Sequence, residues 1–343
     1  MSRTGPPTLT EVAVKAGVSL ATASRVLNGS ARVVGEPLRS RVLDAAEELG
    51  YRANALAQAT ARGSSNLVGL VVHDVADPYF SAIADGVIRC AEERGLVVVL
   101  GSTRRDPEQE LRYVSALRSQ RAQAVILAGS RSTDAERTAR LVKEIDGFRA
   151  GGGRVAVISQ NRLGTHTVQP QNRAGARDLA RALCDLGHRR FAVLAGPKQL
   201  VTSSERLSGF LQGVVACGVD RADVVVLHGD FTRDGGYALA RTLAERGTRS
   251  TCVFATNDVM AVGAVAAFRD GGIGVPGDLS IAGFDDIATL RDMSPSLTTV
   301  SLPLEEMGAR AAQLALDSGP EDAPRVLPYR GHVVLRASTR RID

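Results

Sequence analysis

Apolar residues return at helical spacing through the first fifty positions of the chain. The spacing predicts a first helix whose buried face consists of Leu9, Val12, Ala13 and Ala16. After a tight turn at Gly17, a second helix is predicted with Ala23, Val26 and Leu27 on its buried face. A third helix is predicted from about Pro37 to Leu49, where Gly50 ends it. The pattern indicates an all-α unit of three short helices around one small core.

Polar residues mark the beginnings of the first two helices. Thr8 and Ser19 each precede a helical pattern, where a side-chain oxygen can accept from unpaired backbone N–H groups. The outward face of the second helix is left to Leu20, Ala21, Thr22, Ser24 and Arg25. Small side chains and one arginine suit base edges and phosphates. The pattern therefore predicts a helix-turn-helix that enters the DNA major groove, with an ordinary helical hairpin as the alternative.

The pattern changes at Leu67, where apolar runs begin to alternate with helical segments. Strands are predicted at Leu67–Val72, Leu96–Leu100, Ala124–Ala128, Val155–Ile158, Phe191–Ala195, Val224–Leu227, Cys252–Ala255 and Leu279–Phe284. Helices are predicted near 79–94, 107–120, 134–149, 173–187, 203–217, 234–246 and 258–270. Strands that are apolar on both faces indicate parallel sheets covered by helices. Eight such units favour two sheets, with a chain crossover within Asn161–Asn172 and a ligand at the carboxyl ends of the strands.

Composition sets the broad class. With 343 residues, 44% of them hydrophobic, the chain is long enough for two or three domains with a sizeable core. It has no run of 18 apolar residues and no signal-peptide pattern, so we expect a cytoplasmic protein without a membrane span. The four cysteines are dispersed and form no C-x-x-C pair, and we expect them to be buried free thiols.

Charge adds a weak directional signal. The net charge is +5, and residues 1–66 hold eight basic and five acidic side chains, an excess of three. A basic N-terminal segment favours a polyanionic partner there.

Signatures of catalysis are missing from the sequence. It has no Walker-type phosphate loop and no G-x-S-x-G motif, and its histidines show no metal-ligand spacing. Gly272–Gly277 fits G-x-G-x-x-G, but it follows a helix and precedes a strand, so a helix stop and a turn are predicted there. Asp285 and Asp286 fit a strand-end carboxylate that accepts ligand hydroxyls beside one that caps the next helix, with a catalytic carboxylate pair as the alternative. We therefore expect no catalytic residue, metal or cofactor.

Nine short motifs together carry a family resemblance. They are Leu9–Asn28, Glu47–Arg52, Asp77–Phe80, Asn172–Gly175, Leu186–Arg190, Ala195–Pro197, Thr256–Ala261, Gly283–Asp286 and Ser296–Val300. In this order they resemble the lactose-repressor/galactose-repressor (LacI/GalR) transcription factors from Thr8 to the C-terminus. The resemblance implies a DNA-binding headpiece over 1–53, a hinge helix and linker over 54–66, and a two-lobed periplasmic-binding-protein-like domain for effector binding and dimerisation over 67–343. It also implies a homodimer that binds a pseudo-palindromic operator, usually as a repressor.

The resemblance further assigns DNA contacts. Leu20, Ala21 and Arg25 would reach major-groove base edges, and an arginine can hold a guanine bidentately. Smaller polar side chains would hold phosphates, and the hinge helix would lie in the minor groove. The full set expected at DNA is Thr8, Ser19, Leu20, Ala21, Thr22, Ser24, Arg25, Asn28, Asn54, Leu56, Ala57 and Thr60.

In the core, the resemblance implies a small effector, most often a sugar. The expected contacts are Tyr79, Phe80, Asn172, Arg206, Asn257 and Asp285. A guanidinium, an amide and a carboxylate suit sugar hydroxyls, and an aromatic ring suits the apolar face of a sugar. For Asn257 and Asp285, capping of the following helices is the alternative.

Several residues depart from the family pattern. Thr60 stands where a hinge leucine usually enters the DNA, which weakens the expected operator kink. Gly35 stands near the position where a capping serine is common. Around the cleft, Ser159-Gln160 and Gln171 replace two aspartates, so a phosphorylated or acidic effector, or none, stands beside the sugar as an alternative. No heptad tail follows the core, so a dimer is expected rather than a tetramer.

Two other classes of protein also use such a core. A solute-binding protein of transport needs an export signal, and an α/β enzyme needs a nucleophile, a metal site or a cofactor loop. Because the sequence offers none of these, it predicts an effector-controlled transcriptional regulator. Its mechanism would be linkage, in which the effector prefers one arrangement of the two lobes and shifts DNA binding with it.

Overall fold

The computed structural model describes residues 7–28, 34–52, 64–319 and 322–342. The chain divides into two compact units, Met1–Ser65 and Asn66–Asp343. Of the predicted hinge and linker over 54–66, residues 54–63 lie outside the described ranges, so the hinge helix stays a prediction.

Three helices form the first unit, as the sequence predicted. They are α1 (Leu9–Ala16), α2 (Leu20–Asn28) and α3 (Glu36–Leu49). A capping box begins α1, because Thr8 Oγ1 accepts from the Glu11 amide at 3.3 Å and Glu11 Oε2 accepts from the Thr8 amide at 2.7 Å. At the start of α2, Ser19 Oγ accepts from the Thr22 amide at 3.1 Å. Both predicted caps are therefore confirmed.

Glycines end α1 and α3. Gly17 and Gly50 have φ angles of 63° and 62°, the left-handed conformation that glycine adopts without a steric penalty. Gly35 precedes α3 without any side-chain cap. The helices enclose a small core of Val12, Ala13, Ala16, Ala23, Val42, Ala45 and Ala46.

The second unit alternates strands and helices. Its strands are β1 (Leu67–Val72), β2 (Val97–Ser102), β3 (Ala124–Ala128), β4 (Arg154–Ile158), β5 (His166–Pro170), β6 (Phe191–Ala195), β7 (Val224–His228), β8 (Cys252–Ala255), β9 (Ser280–Ala282), β10 (Thr299–Ser301), β11 (Val326–Tyr329) and β12 (His332–Val334). Its α-helices are α4 (Pro78–Glu92), α5 (Pro107–Ser119), α6 (Ala135–Ala150), α7 (Asn172–Asp185), α8 (Val201–Ala216), α9 (Arg233–Glu245), α10 (Asp258–Asp270) and α11 (Leu304–Asp317). Short 3₁₀ turns occur at Arg221–Asp223 and Ala288–Arg291.

Two separate parallel sheets define two lobes. The first lobe has a six-stranded sheet in the order β11-β5-β4-β3-β1-β2, and the second has a four-stranded sheet in the order β7-β6-β8-β9. Within both sheets every strand pair is parallel. Because parallel strands need helical crossovers, the helices cover both sheets as predicted.

The chain crosses between the lobes three times rather than once. The predicted segment Asn161–Asn172 contains the first crossing, but it also contains β5, which the sequence analysis missed. Further crossings follow β10 and β11, since α11 and β11 belong to the first lobe while the antiparallel pair β10-β12 connects back to the second. These strands of three to five residues carry Thr, His and Pro, which hid them among the loops.

Helix α11 packs closely against α4 in the first lobe. A Cβ atom at Gly86 would lie 1.9 Å from the Glu305 carbonyl oxygen, and one at Gly308 would lie 2.1 Å from the Ile83 carbonyl oxygen. The two glycines therefore permit a backbone-to-backbone contact that no other residue allows.

Strand β2 and one cysteine are more exposed than the sequence predicted. Strand β2 was expected to be buried on both faces, but it is the edge of its sheet, and Val97, Val99 and Leu100 are exposed. Three of the four free cysteines are buried as expected, whereas Cys217 is half-buried. The segment Gly272–Gly277 forms a turn after α10, as predicted. None of the described helices has the length and hydropathy to cross a membrane.

Candidate functional site

The exposed face of α2 is the first candidate site. Ala23 is fully buried, while Leu20 is 51% exposed and Ala21 and Arg25 are also exposed. The structure thus turns the predicted base-reading residues away from the small core. Of the predicted phosphate contacts, Thr22 and Ser24 are half-buried.

Other predicted DNA contacts are engaged locally or fall outside the described residues. The hydroxyls of Thr8 and Ser19 hold helix N-termini, and Ser19 Oγ also lies 2.9 Å from Thr22 Oγ1. The side chain of Asn28 and the hinge residues Asn54, Leu56, Ala57 and Thr60 lie outside what the structure describes. Their DNA contacts stay predictions.

Polar contacts from the neighbouring helices tie the unit together. Lys15 on α1 forms an ion pair with Glu48 on α3. Arg41 on α3 donates to the Gly17 carbonyl in the turn before α2, with an Nη2···O distance of 3.4 Å. Helix α3 is thus connected to α1 and to the turn that leads into α2.

The second candidate site is a cavity between the two lobes, which we call the central cleft. It collects residues from the carboxyl ends of the parallel strands, as the sheet topology predicts. All six predicted effector residues line it, namely Tyr79, Phe80, Asn172, Arg206, Asn257 and Asp285. The structure therefore brings together residues that are more than two hundred positions apart in the chain.

A buried ion pair forms the floor of the central cleft. Arg206 on α8 holds Asp285 bidentately, with Nη2···Oδ1 at 2.6 Å and Nη1···Oδ2 at 3.1 Å, and the two residues are 2% and 4% exposed. Arg206 Nε donates to Asn172 Oδ1 at 3.0 Å, and its guanidinium lies 3.9 Å from the ring centroid of Phe284. Most of the donors of Arg206 therefore serve the protein, and lone pairs of Asp285 remain for ligand hydroxyls.

Backbone strain accompanies this pair. Asp285 and Asp286 have φ angles of 127° and 62°, which are unusual for residues other than glycine. Such strain is concentrated at functional sites, where the surrounding structure holds it in place. Asp286 was predicted to cap the next helix, but this is wrong: its Oδ1 lies 2.7 Å from Arg336 Nη2, and no side chain caps the following 3₁₀ turn.

Burial controls the ionisation of the carboxyl groups here. Desolvation raises the pKa of Asp285 to about 6, although Arg206 opposes the shift. Desolvation also raises the pKa of Asp258, to about 8, even though its carboxylate accepts from Thr299 Oγ1 at 2.7 Å and from the Ile287 amide at 3.1 Å. Without Arg206, the charge of Asp285 would therefore be strongly disfavoured.

Aromatic side chains form one wall of the central cleft. Asp77 caps α4 by accepting from the Tyr79 amide at 3.0 Å, which places Tyr79 and Phe80 in the first helical turn. The two rings meet edge to face with centroids 4.9 Å apart. Burial raises the pKa of the Tyr79 phenol, so the group stays a neutral hydroxyl.

Asn257 has the capping role that the sequence left open. Its Oδ1 accepts from the Met260 amide at 3.0 Å and begins α10, while the residue also lines the central cleft. Capping and cleft lining are therefore compatible for this residue. Asp285, in contrast, caps no helix.

Glu205 is a carboxylate that was not predicted from the sequence, and it contacts two residues that line the central cleft. Glu205 Oε2 accepts from Gln160 Nε2 at 3.2 Å and from Asn172 Nδ2 at 3.0 Å. Gln160 also donates to Thr202 Oγ1 at 2.9 Å, so its side chain joins the first lobe to the second. Where the family pattern has an aspartate, Gln160 thus provides a neutral side chain that hydrogen-bonds across the two lobes.

Backbone contacts reinforce that bridge. The Val201 amide donates to the Arg131 carbonyl and the Thr133 amide to the Gln199 carbonyl, both at 3.0 Å. On the other side, Arg105 Nη2 donates to the Phe231 carbonyl at 3.0 Å. The two lobes are therefore connected by direct contacts on both sides of the cleft.

The central cleft is also lined by four residues that were not predicted from the sequence, namely His73, Arg105, Ser130 and Phe231. Each follows closely after a strand of one of the parallel sheets. The rule that ligands lie at strand carboxyl ends would have selected them had it been applied strand by strand.

Comparison with known proteins follows the same division of the chain. Residues 8–54 match the model of bacterial regulatory proteins of the lacI family, and residues 180–339 match that of periplasmic binding protein-like domains. The HTH-type transcriptional regulator CelR of Thermobifida fusca is 33% identical over 345 residues, covering 98% of this chain and all (100%) of that protein.

Two solved structures extend the comparison. A transcriptional regulator CelR–cellobiose complex is 32% identical, with a TM-score of 0.69, over 97% of this chain and 99% of that one. The lac repressor dimer bound to operator and the anti-inducer ONPF is 26% identical, with a TM-score of 0.81, over 98% and 100% of the two chains. These likenesses confirm the expected fold class, a helix-turn-helix headpiece with a two-lobed periplasmic-binding-protein-like core.

Proposed function

The chain belongs to the lacI family of DNA-binding transcriptional regulators, which are not enzymes, and from this premise we propose that it represses transcription from a pseudo-palindromic operator under the control of a sugar or sugar derivative. The observation that carries the proposal is the convergence of all six expected effector residues on the central cleft. The protein would act in the cytoplasm, where its DNA is.

The DNA-reading role is supported by the chemistry of α2. Arg25 is the exposed arginine of that helix, and its planar fork matches the two acceptors of guanine in the major groove. Leu20 and Ala21 offer apolar contacts of the kind that a thymine methyl group accepts. Base reading is therefore assigned to three residues within six positions of each other.

The sugar-binding role is supported by the polar and aromatic surfaces of the central cleft. Asp285 and Asn257 present oxygen and nitrogen atoms for hydroxyls, and Tyr79 and Phe80 present ring surfaces for an apolar sugar face. The CelR relative has been solved as a complex with cellobiose, which agrees with a sugar effector here. Positions 160 and 171 hold glutamine, but a carboxylate is still present nearby, because Glu205 lies beside Asn172.

A homodimer is supported by the edges of both sheets. Strand β2 ends the first sheet with exposed Val97, Val99 and Leu100, and β7 ends the second with exposed Val225. An exposed apolar edge strand usually has a partner, because it otherwise promotes aggregation. The lac repressor neighbour is itself a dimer on its operator.

Selection of binding sites from random duplex DNA by the purified protein tests the proposal. Enrichment of a pseudo-palindrome would support a dimeric DNA reader, and a C·G step at its centre would indicate that the hinge still enters the minor groove despite Thr60. Repeating the selection with sugars present identifies the effector by gain or loss of the enriched site. Absence of any enriched site at low salt, with and without sugars, would reject the proposal.

A further inference from the structure

A second cavity adjoins the central cleft, and we call it the side cavity. It lies between α5, α6 and the loop after β6, and it shares His73, Arg105, Ser130 and Leu200 with the central cleft. Because both cavities touch the same four residues, a ligand in the central cleft can extend into the side cavity.

The charged groups of the side cavity are largely balanced. Three of its four arginines form ion pairs, namely Arg131 with Glu110 at 2.9 Å, Arg137 with Asp134 at 3.1 Å, and Arg140 with Glu108 at 2.6 Å. Among the described residues, Arg105 has no carboxylate within 4 Å. Burial lowers the pKa of its guanidinium, and the more distant Asp77, Asp74 and Asp230 only partly oppose this shift. A balanced lining favours hydroxyl groups over a phosphate or a carboxylate.

Two polar groups at the junction suit hydroxyl groups. Arg105 Nε is buried and has no hydrogen-bond partner among the described residues, a state that costs free energy until a ligand oxygen accepts from it. Burial and the nearby charges of Arg131 and Arg105 lower the pKa of His73, so its ring is neutral and carries one donor and one acceptor. Hydroxyls, which both donate and accept, complement this pair.

Backbone conformation also marks Arg105. Arg104 and Arg105 have φ angles of 51° and 63°, two consecutive non-glycine residues in the left-handed region. Arg105 spans the lobes through its contact with the Phe231 carbonyl. A ligand that bonds to Arg105 would therefore touch a side chain that already joins the two lobes.

We propose that the side cavity is a second sugar subsite, so that the effector is a neutral glycoside of two units, one beside Tyr79 in the central cleft and the next between α5 and α6. This inference rests on the proposed function, because it takes for granted that the central cleft holds a sugar. It adds the length and the charge of the effector, which the family assignment leaves open.

Isothermal titration calorimetry of the full-length protein tests the inference with matched sugar probes. The probes are glucose against cellobiose and maltose, galactose against lactose and melibiose, xylose against xylobiose, and glucose 6-phosphate and galacturonate as anions. We expect at least one neutral disaccharide to bind tenfold or more tightly than its monosaccharide. Equal affinity for every matched pair, or tightest binding of an anionic probe, would overturn the inference.

Variants of α6 place the second unit. Thr138 lines the side cavity but not the central cleft, and its hydroxyl bonds only to the Asp134 carbonyl of its own helix. Thr138→Phe should weaken disaccharide binding at least tenfold and change monosaccharide binding less than twofold. Ala139→Phe, an exposed neighbour on the same helix, is the matched control and should bind both sugars like the wild type.

Thermal melting confirms that each variant is folded, and Thr138→Leu provides a smaller filling group if the phenylalanine is not accommodated. Unchanged disaccharide affinity in a folded Thr138 variant contradicts the second subsite. If monosaccharides bind and disaccharides bind no better, only this inference fails. If no probe of either length binds to the wild type, the proposed function fails together with it.

Discussion

The exposed face of α2 and the central cleft place their recognition groups in opposite environments. On α2, Leu20 and Arg25 are exposed, and the helix is held from behind by a core of seven small side chains. In the cleft, Arg206 and Asp285 are almost fully buried, and the pairing with Arg206 opposes the desolvation that disfavours the charge of Asp285. An exposed side chain of α2 can therefore be removed without unfolding the protein. Removal of one charge from the cleft, in contrast, leaves its buried partner unpaired.

Removal of Asp285 should have the largest effect and would show how strongly the cleft depends on pairing. Asp285→Ala leaves Arg206 buried without its carboxylate, which should lower the free energy of unfolding by about 3–5 kcal/mol. Urea denaturation followed by circular dichroism measures this. The control is Glu108→Ala, which breaks an exposed bidentate pair with Arg140 and should change stability little. Similar losses of unfolding free energy in both variants would show that the buried pair is no more important for stability than the exposed one.

The small core behind α2 should be the next most sensitive point. Val42 is fully buried in α3, and Val42→Ala should cost about 2–3 kcal/mol, a large share for so small a unit. We expect operator binding to be lost at 37 °C while sugar binding to the core is retained. Operator titration at 37 °C measures the first property and calorimetric titration with sugar measures the second. The control is Leu43→Ala, at the exposed neighbouring position. Loss of sugar binding in Val42→Ala would mean that the two regions do not act separately.

Arg25→Ala tests the surface reader directly. It should weaken binding to the selected operator by about 1–3 kcal/mol and leave most of the salt-dependent binding to random DNA. Fluorescence anisotropy at several salt concentrations separates the two contributions. Arg39→Ala removes an exposed arginine from α3 and should spare specificity. An equal fall in specific and non-specific binding would show that Arg25 contacts only phosphate.

These two regions also differ in how far the sequence could predict them. The helix ends of the headpiece are determined by local sequence. They were predicted from Thr8, Gly17, Ser19 and Gly50, and the structure confirms them. Most strands and helices of the core follow from periodicity as well. The short β5, β10, β11 and β12 did not, because they are held by pairing with distant strands rather than by their own composition.

For the cleft, prediction depended on the family resemblance. The six effector residues converge, but their partners were not foreseen. Glu205 lies next to Arg206 in sequence, yet its contact with Gln160 depends on how the two lobes close. Likewise, the pairing of Asp286 with Arg336 joins positions fifty residues apart, and no local pattern encodes it.

A pH titration of stability tests the smallest of these effects, the ionisation of one buried carboxyl group. The pKa of Asp258 is about 8 in the folded protein, raised by burial from the value of 3.8 for an exposed aspartate. The folded state therefore binds the proton that the unfolded state has released between about pH 4 and pH 8, and the contribution of this group to stability falls as pH rises through that range. The slope is at most about 1.4 kcal/mol per pH unit.

Asp258→Asn should flatten this pH dependence, because the amide keeps an oxygen for the bond from Thr299 and does not titrate. The buried histidines His73, His166 and His188 have lowered pKa values and give the opposite trend at acidic pH, so the difference between variant and wild type is the quantity to measure. Equal slopes for both proteins from pH 5 to pH 8 would show that the Asp258 carboxyl group is ionised in the fold.

One set of operator titrations tests whether α2 reads DNA while the central cleft senses a sugar. The wild type, Arg25→Ala and Asp285→Asn are each titrated onto the selected operator with and without the effector sugar. We expect Arg25→Ala to weaken operator binding in both conditions and to keep the ratio of the operator affinities with and without sugar. Asp285→Asn keeps the size of the side chain and is titrated at a temperature at which circular dichroism shows that it is folded. We expect it to bind operator without sugar like the wild type and to show a ratio of one. A full sugar response in Asp285→Asn would contradict the role of the cleft in sensing the sugar. Unchanged operator affinity in Arg25→Ala would contradict the role of α2 in reading DNA.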